Sequence, residues 1–277
     1  MNRNLTALTL VGLAVLGLTP GVVHAKKILL WNTLDSPEAI ADSEKGPRGK
    51  VVGASFAFEA AQFGNGYVRK ATGNNWVEFP RSIPEQLRSE GTVELWINPK
   101  VPKPVPYQYG AFGLLNGPYS PYDTGFRLYW GDGVSGNGLV ADNTIVSTPN
   151  ESRQFVATPG VPFHVALTWD VGGIDGSADT IRVYRNGKVV NSTTGKWGPD
   201  DLRIAPLQLG WSPDGGGYDK FITDQIVVRD YAKTWYGDRF DATPTVPEPS
   251  TLGMWFAGGL LLLAAPCTRR ALAGRSG

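Results

Sequence analysis

The chain contains very little cysteine and histidine. Its 277 residues include one cysteine, Cys267, and two histidines, His24 and His164. A lone cysteine near the C-terminus excludes an internal disulfide, and it leaves the rest of the chain without cysteine-based zinc sites or thiol nucleophiles. His164 lies in an alternating apolar segment. We therefore interpret it as a strand residue on the face opposite Val165 and Leu167, and not as the base of a catalytic triad.

An excess of charge of one sign is also missing. Lys and Arg number 26 against 25 Asp and Glu, which gives a formal net charge of +1. A nucleic-acid partner requires concentrated positive charge, so we expect none. By contrast, the chain has 35 glycines, 21 prolines and 9 tryptophans. Many turn residues and many large aromatics favour short strands packed in layers over long helices.

A catalytic carboxylate string is absent as well. Retaining glycosidases hold two carboxylates about 5 Å apart, and acidic residues two positions apart on one strand would satisfy that distance. Thr92 and Trp96 occupy this spacing around Glu94, and Glu78 is similarly isolated. We interpret Glu78 and Glu94 as solvent-facing residues and expect no enzymatic activity. A carboxylate pair assembled from distant strands stays open as an alternative.

The first residues have the pattern of an export signal. Arg3 supplies a positive charge, Leu5–Leu18 is apolar, a Thr-Pro-Gly break follows, and Val23-His24-Ala25 fits a small-residue cleavage site. We expect residues 1–25 to be a signal peptide and the mature protein to begin at Lys26.

The C-terminal residues form three consecutive parts. Residues 243–250 are proline-rich and unsuited to a helix interior, residues 251–267 are apolar, and three arginines occur after them. The apolar run is near the lower end of the roughly 17–25 residues that span a bilayer, and the arginines are expected on the cytoplasmic side. This order resembles the PEP-CTERM sorting signal. Its motif corresponds here to Val246, Pro247, Glu248, Pro249 and Ser250.

That resemblance implies a route to the cell surface. Residues 242–277 would be a sorting tail with a hydrophobic transmembrane helix, recognised by an exosortase. Exosortases are membrane protease-transpeptidases associated with exopolysaccharide-producing Gram-negative bacteria. The protein would be exported across the inner membrane, held there transiently by its tail, and delivered to the cell surface or extracellular matrix. An ordinary C-terminal membrane anchor is the alternative.

Residues 26–241 have the periodicity of one all-β domain. The alternation from Phe163 to Trp169 predicts a strand with its odd-numbered residues facing the core. Asn186-Gly187 predicts a hairpin with a type I′ turn. We also expect Trp96 and Trp169 to be core residues. Further strands are predicted at 51–58, 76–79, 92–98, 111–115, 126–130, 207–209 and 221–228, with a short helix or turn at 82–88.

Several segments occur in the order found in LamG-like domains. The run His-Val-Ala-Leu-Thr-Trp-Asp at 164–170 precedes Tyr-Arg-Asn-Gly at 184–187 and Thr-Asp-Gln-Ile-Val-Val at 223–228. Over residues 28–235 the chain resembles the LamG-like (laminin G-like, concanavalin A-like) family. The resemblance implies an all-β jelly-roll sandwich of two antiparallel sheets, and it does not fix a ligand.

Aromatic residues in or beside loops are candidate sugar-stacking positions, because a ring face packs well against the C–H face of a sugar. Core packing is the alternative for each of them. Our hypothesis is a non-catalytic surface or matrix protein that binds exopolysaccharide or another surface glycan. The alternatives are a carbohydrate-active enzyme on the same fold and a purely structural matrix protein. The glycan-binding candidates are Tyr122, Trp130, Trp197 and Trp211.

Two loops rich in glycine and aspartate are candidate calcium sites. Asp170 and Asp179 bracket the first loop, and Asp219 closes the second. Calcium takes roughly six to eight oxygen ligands, and neither loop has EF-hand spacing. Some LamG-like domains bind calcium at such edge loops. The alternative is that Asp and Gly serve here only as turn formers. We expect no other cofactor.

Overall fold

A computed structural model of the chain describes residues 26–70, 75–87, 89–101, 109–115, 124–131, 138–142, 157–198, 206–210 and 220–239. One helix, α1, spans Pro37–Ala41, and short 3-10 turns span Pro84–Gln86, Ile174–Gly176 and Gly237–Arg239. The chain divides into two compact units, Met1–Thr234 and Trp235–Gly277, and the strands belong to the first. In chain order they are β1 (Ile28–Asn32), β2 (Lys50–Val52), β3 (Phe56–Ala60), β4 (Asn65–Arg69), β5 (Trp76–Phe79), β6 (Glu90–Pro99), β7 (Tyr109–Leu115), β8 (Thr124–Gly131), β9 (Gly138–Asp142), β10 (Phe163–Asp170), β11 (Ile181–Arg185), β12 (Lys188–Thr193), β13 (Leu207–Leu209) and β14 (Phe221–Arg229).

The strands form two sheets. The large sheet has eight strands in the order β12-β11-β10-β6-β14-β4-β3, with β1 paired to β14, and the small sheet has six in the order β2-β5-β13-β7-β8-β9. Neighbouring strands within the described residues pair antiparallel, so the fold is all-β with almost no helix. This architecture is consistent with the expected jelly-roll sandwich.

The core lies between the two sheets and explains the sequence pattern of β10. Phe163, Val165, Leu167 and Trp169 are buried in one cluster with residues of the small sheet such as Phe79. The prediction for this strand is therefore confirmed. Side chains from both inner faces share one apolar layer, and burial of such side chains stabilises the fold by about 1.5–3 kcal/mol each.

Trp169 depends on a glycine in the neighbouring strand. Gly91 is its cross-strand partner in β6, and a Cβ atom added at Gly91 would lie 2.6 Å from Cζ2 of Trp169. The indole Nε1 donates a hydrogen bond of 2.9 Å to the carbonyl oxygen of Leu87. The absence of a side chain at Gly91 thus makes room for the largest ring of this strand pair.

The hairpin between β11 and β12 has the predicted turn. Asn186 and Gly187 have φ angles of 48° and 75°, and Arg185 pairs with Lys188 across the turn. Positive φ at both central residues is the requirement of a type I′ turn, whose twist matches that of the flanking strands.

One prediction about the strands needs correction. The single strand expected at 51–58 is two strands, because Gly53 adopts a φ of 87° and sends β2 to the small sheet and β3 to the large one. Trp96 is a buried core residue, as predicted, and packs edge-on against Phe63 and His164. Even-numbered residues of β6 face away from the small sheet, and that face of the large sheet is covered too.

A bulge in β14 marks a change of partner strand. Thr223 pairs with β4, whereas the residues from Ile226 onward pair with β1. Between them Gln225 has a φ of 47°, which is unusual for a residue other than glycine. The extra residue lets one strand serve two successive neighbours on the same edge.

The predicted signal peptide, residues 1–25, and the motif and apolar segment of the predicted sorting tail lie outside the described residues. Among the residues that the structure does describe, no helix has the length and apolar character needed to cross a membrane.

Candidate functional site

The small sheet has a polar row on the face that points away from the core. In β5, Val77 and Phe79 are buried in the core cluster, so Glu78 between them lies on the outer face. In β13, Leu207 and Leu209 are core residues and Gln208 lies outward. Lys50 pairs with Glu78 and extends the row to the sheet edge. We call it the polar row; its members with described side chains are Lys50, Glu78 and Gln208, and the backbone register continues through Gly113, Arg127 and Asp142.

The carboxylate of Glu78 accepts hydrogen bonds from three side chains. Its Oε1 is 2.9 Å from Nζ of Lys50, and its Oε2 accepts from Nε1 of Trp76 and Nε2 of Gln208, both at 3.2 Å. Burial on its own raises the pKa of Glu78, but the hydrogen bonds from these three side chains outweigh it and keep the pKa below the ordinary value of 4.5. Glu78 is therefore an ionised acceptor at neutral pH.

Gln208 is the deepest described side chain of this row. It is 2% exposed, and its Nε2 donates to Glu78 while its Oε1 is buried with no hydrogen-bond partner. A buried amide oxygen without a partner costs about 1–3 kcal/mol. The next position in register is Gly113, which brings no side chain to this part of the row.

The backbone register extends the row across β7, β8 and β9. Gly113 pairs with Arg127, and Arg127 pairs with Asp142.

One of the four aromatic candidates, Trp197, has a described side chain. It is 8% exposed and belongs to the core cluster, so its ring offers little surface to a ligand. Trp130 belongs to β8, but its side chain lies outside the described part of the structure. Tyr122 and Trp211 lie outside the described residues.

The prediction that Glu94 faces solvent is wrong. Its side chain is 0% exposed and lies 3.2 Å from Nε2 of His164, 2.9 Å from Nε of Arg229 and 3.4 Å from Nζ of Lys233. The strand position expected for His164 is confirmed, with this carboxylate as its partner. Fully enclosed, the cluster offers no atom to a large ligand.

The chain that follows β14 covers this cluster. Thr92 Oγ1 donates to the carbonyl oxygen of Tyr231 at 2.8 Å, and the backbone N–H of Lys233 donates to the same Oγ1 at 2.9 Å. Thr168 Oγ1 donates to the carbonyl oxygen of Lys233 at 3.0 Å. These three hydrogen bonds fix the segment across β6 and β10, which is why the outer face of the large sheet is buried there.

The aspartates of the first glycine-rich loop have protein partners. Asp170 Oδ1 accepts from the N–H of Gly172 at 2.7 Å, and Asp179 Oδ2 lies 2.8 Å from Nε of Arg182. Within the described ranges no three His, Cys, Asp or Glu side chains cluster in a way that could hold a metal ion. Asp219 lies outside the described residues.

Sequence reasoning missed the contact between Glu78 and Gln208. The local signal was present, since each stands between two apolar residues that alternate with it. The prediction that Glu78 faces solvent holds only in part, because its side chain is on the outer face but just 17% exposed. Its partner is 130 positions later in the chain, and no local pattern specifies such a pairing.

The comparisons with known proteins concern the fold. No curated protein matches the chain. It is similar to domain 4 of an extracellular arabinanase from Geobacillus stearothermophilus, solved in complex with arabinotriose, with 18% identity, a TM-score of 0.52, and coverage of 76% of this chain and 95% of that one. A Trypanosoma rangeli sialidase has 13% identity and a TM-score of 0.52, with 74% of this chain and 31% of that chain covered.

Part of a neurotoxin chain is also similar in fold. A botulinum neurotoxin type C structure, described as depending on two ganglioside molecules for cell entry, has 10% identity and a TM-score of 0.51, with 83% of this chain and 51% of that chain covered. The chain thus spans under a third of the sialidase and about half of the toxin chain. A family model described as the concanavalin A-like lectin/glucanases superfamily matches residues 71–235. Since this match covers more than half of the 277 residues, the chain belongs to the concanavalin A-like lectin/glucanases superfamily.

Proposed function

We propose that this protein is an exported cell-surface or matrix protein whose sandwich binds a glycan without cleaving it, through the outer face of the small sheet. The observation that carries the proposal is the arrangement around Glu78. An ionised carboxylate, an indole N–H and an amide are brought together on one sheet face. Carboxylate and amide oxygens accept the hydrogen bonds that sugar hydroxyls donate. The arabinanase domain, which has this fold, was solved with arabinotriose.

The chemistry of the described carboxylates supports binding over catalysis. A glycosidase general acid needs a raised pKa, whereas the pKa of Glu78 is lowered. Glu94 is enclosed by two cations and a histidine and reaches no substrate.

The two ends of the first unit support export and sorting. Ile28 in β1 pairs with Arg229 in β14, and the N–H of Lys27 donates to Oδ1 of Asp230 at 2.6 Å. The first described strand therefore begins close after the predicted cleavage site, and it pairs with the last described strand of the sandwich. A signal peptide before Lys26 and a tail with the motif 246–250 can then be removed without loss of any described strand. We propose an exosortase as the enzyme that recognises this tail.

The test is a glycan array probed with the purified exported protein, together with an assay for turnover of labelled polysaccharides. We expect saturable binding to at least one glycan, no turnover, and about tenfold weaker binding for Glu78→Ala, since hydrogen bonds to a charged group are lost. Glu85→Ala is the matched control, because Glu85 is exposed and its carboxylate pairs with Arg81 instead of a member of the row. Turnover of a polysaccharide would establish an enzyme, and absence of binding would leave a purely structural matrix protein.

A further inference from the structure

The residues just after the expected cleavage site are attached to the end of β14. The backbone N–H of Lys27 donates to Oδ1 of Asp230 at 2.6 Å, and the N–H of Asp230 donates to the carbonyl oxygen of Lys27 at 3.1 Å. These two hydrogen bonds follow directly on the pair of Ile28 and Arg229 in the ladder between β1 and β14. The carboxylate of Asp230 therefore lies beside the second residue of the expected mature protein.

Lys26, the first residue of that mature protein, is positioned by an aromatic ring. Its Nζ lies 5.1 Å from the centroid of the Tyr231 ring, within the range of a cation–π contact. Tyr231 is itself held in place, because its carbonyl oxygen accepts from Oγ1 of Thr92 at 2.8 Å and its hydroxyl accepts from Nη1 of Arg229 at 3.3 Å. The contacts of its side chain and of the residue after it thus fix the backbone nitrogen of Lys26.

This backbone nitrogen is close to a carboxylate that has a free oxygen. Adjacent backbone nitrogens are no more than about 3.7 Å apart, so the nitrogen of Lys26 lies within about 6 Å of Oδ1 of Asp230. Oδ1 accepts from Lys27, whereas Oδ2 makes no hydrogen bond or ion pair with another described residue. Neither lysine side chain occupies this carboxylate, because Nζ of Lys26 lies over Tyr231 and the bond from Lys27 comes from its backbone.

From this arrangement we infer that Asp230 is the binding site for the N-terminal ammonium group that removal of the signal peptide creates. The inference rests on the proposed function, because it takes export and cleavage before Lys26 as given. In the uncleaved chain the nitrogen of Lys26 belongs to a neutral amide, and after cleavage it is a positively charged group with three N–H donors. A hydrogen bond between an ammonium and a carboxylate is stronger than one from a neutral amide. Cleavage thus fastens the start of β1 to the sandwich.

The test compares the thermal unfolding of two forms of the chain in mild detergent. One form runs from Lys26 to Gly277, and the other keeps Ala25 in front of Lys26, which moves the ammonium one residue away from Asp230. At about pH 6.5 an α-amino group is charged, and we expect the form that begins at Lys26 to have a Tm about 1–4 °C higher. The difference should disappear at about pH 9.5, where the amine is neutral. Equal Tm values for the two forms at pH 6.5 overturn the inference.

A variant of Asp230 assigns the contact. Asp230→Asn keeps an acceptor for the N–H of Lys27 and removes the charge, so the two forms of this variant should have equal Tm values. An aminopeptidase should also release Lys26 about threefold faster from Asp230→Asn than from the wild-type chain, because the free amine is no longer held. Asp42→Asn is the control, since Asp42 is exposed at the end of α1, and it should keep the wild-type difference in Tm. A difference that persists in Asp230→Asn overturns the assignment.

The intact mass of the exported wild-type protein separates this inference from the proposed function. A first residue other than Lys26 contradicts the expected cleavage site and removes the inference with it, while glycan binding is measured independently on the array. A protein that begins at Lys26 but shows equal Tm values for the two forms leaves export intact and overturns the inference alone.

Discussion

Glu94 and His164 lie on neighbouring strands of the large sheet, with Oε2 of the carboxylate 3.2 Å from Nε2 of the imidazole and neither side chain exposed. The same carboxylate accepts from Arg229 and Lys233 through its other oxygen. One buried anion thus faces two cations and a histidine. Burial of an ionised group costs free energy. Burial of the two cations costs still more once the anion that neutralises them is removed.

We expect Glu94→Gln to lower the free energy of unfolding by about 3–5 kcal/mol, because two buried cations lose their counter-charge. Urea denaturation followed by tryptophan fluorescence measures this directly. Glu85→Gln, at an exposed position paired only with Arg81, should change the free energy by no more than about 0.5 kcal/mol. If Glu94→Gln and Glu85→Gln lower the free energy of unfolding equally, the buried cluster around Glu94 does not stabilise the fold as we expect.

The fold was predictable where its signal is local. The alternation from Phe163 to Trp169 and the Asn186-Gly187 turn specify their strand and hairpin without knowledge of the rest of the chain. The environment of Glu94 was not predictable, because it depends on Arg229 and Lys233, more than 130 residues later. A strand with polar residues on one face normally shows that face to water. Here another segment covers it.

The candidate site was predictable only in its chemistry. A ring beside a loop is a reasonable sugar platform, but the burial of Trp197 is set by the tertiary fold. The pairing of β5 with β13, which brings Glu78 to Gln208, is equally non-local. Alternation in the sequence predicts that Glu78 and Gln208 each face outward. Their contact is seen only in the structure.

Acid should destabilise the protein through Glu78 and Glu59. The hydrogen bond from Lys100, with that from Lys70, keeps the pKa of Glu59 below 4.5, and the pKa of Glu78 is lowered as well. A pKa that is lower in the folded state means stability that is present above about pH 4.5 and lost as the pH falls through the folded-state values. Urea unfolding measured from about pH 7 to pH 3 should therefore show a decline, and the decline should be shallower in Glu59→Gln/Glu78→Gln. An unchanged slope in the double variant contradicts this assignment.

Removal of calcium should leave both stability and glycan binding unchanged. The carboxylate of Asp179 is already neutralised by Arg182, and that of Asp170 caps the N–H of Gly172. Thermal unfolding and glycan titration with millimolar calcium, and then with chelator, check this expectation. A calcium-dependent rise in Tm that disappears in Asp170→Asn or Asp219→Asn would instead establish a metal site in the glycine-rich loops.

Photo-crosslinking locates the glycan most directly. A glycan that binds on the array is prepared with a diazirine group, irradiated with the protein, and the labelled peptides are identified by mass spectrometry. We expect label on peptides that contain β5, β13 or β8, the strands that carry Glu78, Gln208 and Arg127. Label confined to β10, β11 and β12 of the large sheet, or to the loop between Asp170 and Asp179, would contradict binding at the polar row.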